Sequence, residues 1–213
     1  MLLRALLVIA GLFLLSGPVV AQSEAELSPA EMERYGALTD QATAIADRYI
    51  ILEGRHRAAP NETEIRRAIA LYDEALRIHD GRYGVWWMRG KLFQALGQER
   101  EAFISFRRAY ALEPNSQQVI NEMTIHAMEV GEFDFAFAAV QQGLTVFPND
   151  LPLRARLALV QLLRGHPAEA IAAADRALEI APNDGISRLI KRLAEEVRDG
   201  RRPQPRSMRD LTG

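Results

Sequence analysis

Apolar residues recur three and four places apart in successive segments of helical length, and Gly, Pro, Asn and Asp interrupt the pattern between segments. Ala42, Ile45, Ala46, Tyr49 and Ile50 make the first stripe. It predicts a helix from Ser28 to about Glu53, with Ser28 as N-cap, Pro29 in the first turn and Glu31 and Glu33 near the positive end of the helix dipole; Gly54 and Pro60 close it. Asn61 then starts a second helix through His79, with Glu64 placed as its capping-box partner. Asn61-Glu62-Thr63 is also a glycosylation sequon, for which capping is the preferred role. Near the other end, Ile186, Leu189, Ile190, Leu193, Ala194 and Val197 predict an amphipathic helix over 185–199, with Lys191, Arg192, Glu195 and Glu196 facing water. The last stretch, 200–213, has two prolines, four arginines and no apolar periodicity, and is expected to be a disordered basic tail.

Between these ends the pattern repeats. Pro114, Pro148 and Pro182 stand 34 residues apart, as do Gly97, Gly131 and Gly165, and as do Ala68, Ala102, Ala136 and Ala170. A constant period of this length is the mark of a repeat array. Three full units follow, at 83–116, 117–150 and 151–184. In each, a first helix ends at the glycine, which supplies a left-handed C-cap, and a second helix ends before the proline, which cannot continue it. Ser116 or Asn115, Asp150 and Asp184 then cap the helices that come next. The helix over 61–79 carries Ala68, Tyr72 and Ala75 in register with Ala102, Phe106 and Ala109, so residues 22–82 hold an N-terminal helix and a diverged first repeat. The extra residues Arg55–Pro60 in its inter-helix loop are either a capping adaptation or a binding loop.

The spacing Trp86-x2-Arg89-Gly90-x2-Phe93, then Ala102-x3-Phe106-x2-Ala109, then Pro114, resembles the tetratricopeptide repeat. The family's usual Leu and Tyr are Arg89 and Phe93 here, and in later copies Trp86, Gly90 and Phe93 become Ile120, Thr124 and Ala127, then Arg154, Ala158 and Gln161. The resemblance implies an all-α, right-handed solenoid of antiparallel helix pairs with a terminal capping helix. It also implies a concave groove, lined by first helices, that holds a peptide of a partner. By register that groove comprises Trp87, Lys91 and Gln94, then Asn121, Ile125 and Met128, then Ala155, Leu159 and Leu162. Of the Lys/Asn/Arg set with which some members hold a C-terminal carboxylate, only Lys91 and Asn121 are present. The aromatic, Met and Leu residues suit apolar side chains, Met being adaptable. Trp87, Ile125, Met128 and Leu159 are expected to be partly exposed there.

Composition narrows the function classes. The chain of 213 residues has no cysteine, which removes disulfides, thiolate metal sites and covalent haem. Formal charge is −2, and of 26 basic residues only Lys91 and Lys191 are lysines; the arginines are scattered, so no nucleic-acid face is indicated. No phosphate loop, nucleophile elbow or His-Glu-x-x-His motif occurs. Glu122, His126 and Glu129 lie at i, i+4 and i+7 on one helix face, but without a second His they read as a solvated surface pattern, and no metal or cofactor is expected. Residues 1–21 combine Arg4, an apolar run and the small residues Val19 and Ala21 before Gln22, the form of a cleaved secretory signal. The expected product is a non-enzymatic scaffold or chaperone-like assembly factor in the bacterial periplasm, binding a protein or peptide. The alternative is a regulatory or targeting subunit docked permanently on a cell-envelope enzyme.

Overall fold

The computed structural model describes residues 27–50 and 59–211. Within them the chain forms nine α-helices and no strand: α1 Pro29–Ala46, α2 Glu62–Ile78, α3 Tyr83–Ala95, α4 Glu99–Leu112, α5 Gln117–Glu129, α6 Phe133–Val146, α7 Leu151–Leu163, α8 Pro167–Ile180 and α9 Gly185–Arg198. Each helix packs on the next, giving four hairpins in succession with α9 laid over α8 and α7. First helices also touch directly, α1 with α3, α5 with α7 and α7 with α9, so the hairpins form an all-α solenoid whose first helices share one side. The expected signal, 1–21, and most of the loop expected over Arg55–Pro60 lie outside the described residues. No described helix is long and apolar enough to cross a membrane.

The junctions are built as their residues dictate. Gly97, Gly131 and Gly165 take φ of 68°, 82° and 84°, and the amides of Gln98, Glu132 and His166 reach back to the carbonyls of Phe93, Ala127 and Gln161. That is a Schellman closure in each hairpin, satisfying carbonyls the helix end would leave open. At the next junctions Ser116, Asp150 and Asp184 accept the amides of Val119, Leu153 and Ser187. The capping box forms at α1, where Ser28 and Glu31 exchange hydrogen bonds. At α2 only half forms: Asn61 accepts from the Glu64 amide, while the Glu64 carboxylate is taken by the Tyr49 hydroxyl and Arg48. The helix expected to reach Glu53 ends at Ala46, and its stripe nonetheless buries Ala42, Ile45, Ala46, Tyr49 and Ile50.

Within a hairpin, small residues set the approach. Ala68, Ala102, Ala136 and Ala170 are all fully buried, and Phe106 fills the space beside Gly90. The departure at Arg89 is resolved by its partners: the guanidinium pairs with Asp73 at 2.6 Å, donates to the Ser105 hydroxyl and lies 4.7 Å from the centre of the Phe93 ring. Lys191 occupies the corresponding place in α9 and pairs with Asp175 at 2.6 Å. Each of these ion pairs joins residues sixteen apart, linking a second helix to the first helix of the next unit.

One expectation is overturned. Residues 200–211 are not a free arm: after Gly200, at φ 71°, the chain turns back on the array, Pro205 is buried and a 3-10 turn forms at Met208–Leu211. Met208 and Leu211 are packed against the core, a small number of anchors without the period that marks a helix.

A Cβ on Gly90 meets the Phe106 ring at 2.7 Å, whereas one on Gly36 meets nothing within 4 Å. Gly90→Ala therefore destabilises the protein by about 1 to 3 kcal/mol, as does Ala102→Leu, and Gly36→Ala stabilises it by up to about 1 kcal/mol. Thermal melts of the three variants check both signs.

Candidate functional site

The side shared by the first helices is where side chains from separate hairpins converge. At its centre Lys91 of α3 donates to the Glu122 carboxylate of α5 at 2.9 Å, with both side chains largely buried. From α7, Arg156 donates to the Asn121 side-chain oxygen. Burial pushes the Arg156 guanidinium below its usual range, and Asp150 and Glu122 oppose that shift. Glu122 and Arg156 stand one repeat apart, so opposite charges occupy equivalent places on neighbouring helices. The result is a row of alternating charge, Lys91, Glu122, Arg156, across three helices.

His126 corrects the reading of a solvated Glu-His-Glu face. It is only 2% exposed, stacked on Phe106 at 4.9 Å between ring centres. Its Nδ1 lies 2.6 Å from Glu99 and its Nε2 3.8 Å from Glu122, while Glu129 is exposed and takes no part. First helices in a solenoid contact neighbours on two sides, so a polar residue on such a face is drawn into a junction rather than left to water. Among the described residues no group of three His, Asp or Glu is arranged to hold a metal.

The nine groove positions separate into three sets. Lys91 and Asn121 belong to the central polar row. Trp87, Gln94, Ile125 and Leu159 are half-buried, and the Trp87 indole N–H is buried without an acceptor, with Lys91 5.9 Å from its ring. Met128, Ala155 and Leu162 are buried, so Met128 is not the exposed contact that register alone predicts. Leu162 is closed in with Ala170, Leu193 and Ala194, and Leu211 of the returning tail packs on them.

An apolar pocket of about 230 Å³ opens between the N-terminal halves of α7 and α9. Ala155 and Leu159 line it with Leu151, Pro152, Ile186 and Ile190, and Arg156 and Asp184 are its charged margin. Ile186 is 63% exposed and nearby Leu189 44% exposed. The pocket's α9 wall was missed by reasoning from register, because that helix reads as a lid. Its signal was present in Ile186 and Leu189, two aliphatics more than one face of a terminal helix needs.

At the opposite end, Tyr35, Thr39, Thr43, Tyr72 and Arg82 line a wider hollow between α1 and α3. Burial pushes the Tyr72 phenol up to about 12, partly offset by its 2.9 Å hydrogen bond with Thr43.

Removing the Glu122 carboxylate leaves the largely buried Lys91 without its ion-pair partner and Arg156 without one of the two acidic groups that favour its charge. Glu122→Gln is expected to cost about 2 to 4 kcal/mol, more than Lys91→Met, which leaves Glu122 near Arg156 and His126. Chemical denaturation of the two variants and of the double variant tests this, the double being expected to lose less than the sum.

The tetratricopeptide repeat family model matches residues 83–116. No curated protein matches the chain. Among solved structures, a crystal structure of MamA aligns at a TM-score of 0.65 and 17% identity, over 79% of this chain and 84% of that one. YrrB, described as a tetratricopeptide-repeat protein with an unusual peptide-binding site, aligns at 0.57 and 17%, over 70% and 76%. PilF of Pseudomonas aeruginosa aligns at 0.53 and 17%, over 81% and 71%. These likenesses are of fold. Residues 83–116 are thus a tetratricopeptide repeat, their landmark residues recur every 34 positions, and the helix pairs stack as that recurrence requires, in a fold shared with tetratricopeptide-repeat proteins.

Proposed function

We propose that the chain is a non-enzymatic scaffold or assembly factor, exported to the periplasm, that holds an apolar segment of a partner protein in the groove of its first helices at the α7–α9 end. Tetratricopeptide-repeat proteins are in general protein-interaction scaffolds, which supports the class. The observation that carries the reading is the apolar pocket of Leu151, Ala155, Leu159, Ile186 and Ile190, with Ile186 left largely in water. A pocket with aliphatic walls and a charged margin takes up an aliphatic or aromatic side chain and releases the water it displaces. The unusual peptide-binding site of YrrB lends the same reading support by analogy. Export rests on the sequence of residues 1–21.

Two measurements test the proposal. A photo-crosslinking residue at Ile186 captures a discrete partner in cells and one at Ile104, exposed on α4, does not; Leu159→Glu abolishes the capture while leaving the melting temperature within a few degrees. Equal capture from both positions refutes the groove. N-terminal sequencing of the exported protein is expected to begin at Gln22, and recovery of full-length chain in the inner-membrane fraction refutes cleavage.

A further inference from the structure

The returning tail is seated as a peptide ligand is seated. Two features fix where it leaves α9: Gly200 at φ 71°, and the amides of Arg201 and Arg202, which donate to the Glu196 carbonyl. Beyond that hinge the Gln204 side-chain amide donates to the Leu162 carbonyl, at the C-terminal end of α7. Its apolar anchors are Pro205, which is buried, and Met208 and Leu211, which pack on the core; they fall three residues apart in succession. The bonds that give it shape are internal. The Asp210 carboxylate accepts from the amides of Arg206 and Ser207 at 2.7 and 3.0 Å, and the Arg202 guanidinium donates to the Asp210 carbonyl at 2.7 Å.

A segment that carries its own fold and touches the array through a few side chains depends on its tether for occupancy more than on its contacts. Tethered segments see an effective concentration in the millimolar range, so even weak intrinsic affinity keeps them docked. An untethered segment of the same chemistry meets the same surface.

We propose that the surface at the C-terminal half of α7, over Leu162, Ala170, Leu193 and Ala194, is a peptide-binding site with residues 203–211 as its resident occupant, and that it accepts from partner proteins a proline-led turn with apolar side chains three and six residues on and arginines between them. The strap thereby gates the site, and a partner segment must displace it. This site is separate from the pocket between the N-terminal halves of α7 and α9, and either stands if the other fails.

The probe is a fluorescein-labelled peptide of residues 200–213, titrated by anisotropy against the full chain and against full-length Met208→Glu/Leu211→Glu, in which the strap is released. The released variant is expected to bind the peptide saturably with Kd below about 0.1 mM, and the unaltered chain to bind it at least about tenfold more weakly, because its own strap competes at an effective concentration of about 1 mM. A peptide carrying the same two Glu changes is expected not to bind. A folded variant that shows no saturable binding overturns the proposal, as does equal binding by the unaltered chain. If the double-Glu variant loses its helical circular dichroism, Gln204→Ala/Leu211→Ala is read in the same way, and unfolding of both shows the strap to be core and refutes the site.

Discussion

The closeness of the two helices in each hairpin is the constraint on which the rest of the array depends. It exists because small residues stand where the helices meet: Ala68, Ala102, Ala136 and Ala170 have no exposed surface, and the Gly90 backbone lies so near Phe106 that a single added carbon would collide with the ring. Close approach brings the large residues of one helix into the gaps of the other, and it fixes how far apart successive hairpins sit. That distance in turn decides which side chains bridge between units. Arg89 is long enough to reach Asp73 from the next unit while its stem and head lie on Phe93, so a position where the family keeps an aliphatic residue is filled here by a cation with a partner. The equivalent pair, Lys191 and Asp175, is at the other end of the array, whereas Met123 and Leu157 fill the same place inside it. Terminal junctions have more access to water, where an ion pair keeps its charges solvated in part, and interior junctions favour hydrocarbon.

The repeat architecture was legible because each device that makes it is local. A glycine at positive φ, a proline that stops a helix and a side chain that caps the next one act within five residues of themselves, and so their 34-residue recurrence can be read without knowing what packs on what. Long-range events were not legible in the same way. His126 looks like a surface residue because Glu122 and Glu129 flank it at helical spacing, yet Phe106 from the preceding hairpin covers its ring. Helix α1 stops at Ala46 although its apolar stripe continues to Ile50, since a turn buries Tyr49 and Ile50 as well as a helix does. The tail was misread for the complementary reason. Its anchors are three residues in a polar, proline-containing stretch, too few to show periodicity, and the arginines around them point to solvation when taken alone.

The candidate groove shows the same division. Register placed Ala155 and Leu159 on the wall of a real pocket, and it put Lys91 and Asn121 among residues that do meet across helices. It could not say that Met128 and Leu162 are closed off, because what closes Leu162 includes Leu211, nearly fifty residues away in the chain. Nor could it say that Glu122 is the partner of Lys91, although the opposite charges of Glu122 and Arg156 in one repeat position hint at a row of alternating sign.

That row bears on what the first-helix face is able to select. Lys91, Glu122 and Arg156 satisfy one another with Asn121, in surroundings dry enough to push the Arg156 guanidinium below its usual range. A charged group arriving from a partner must therefore compete with a neighbour already in place, and it must lose its own water to do so, which leaves little net gain. The apolar pocket has no such competitor. Its walls are already formed by α7 and α9, and filling it removes hydrocarbon from water without breaking any protein hydrogen bond. On the function proposed above, an apolar side chain gains more at the α7–α9 end than a charged one gains at the centre, where the charges already tie α3, α5 and α7 to one another.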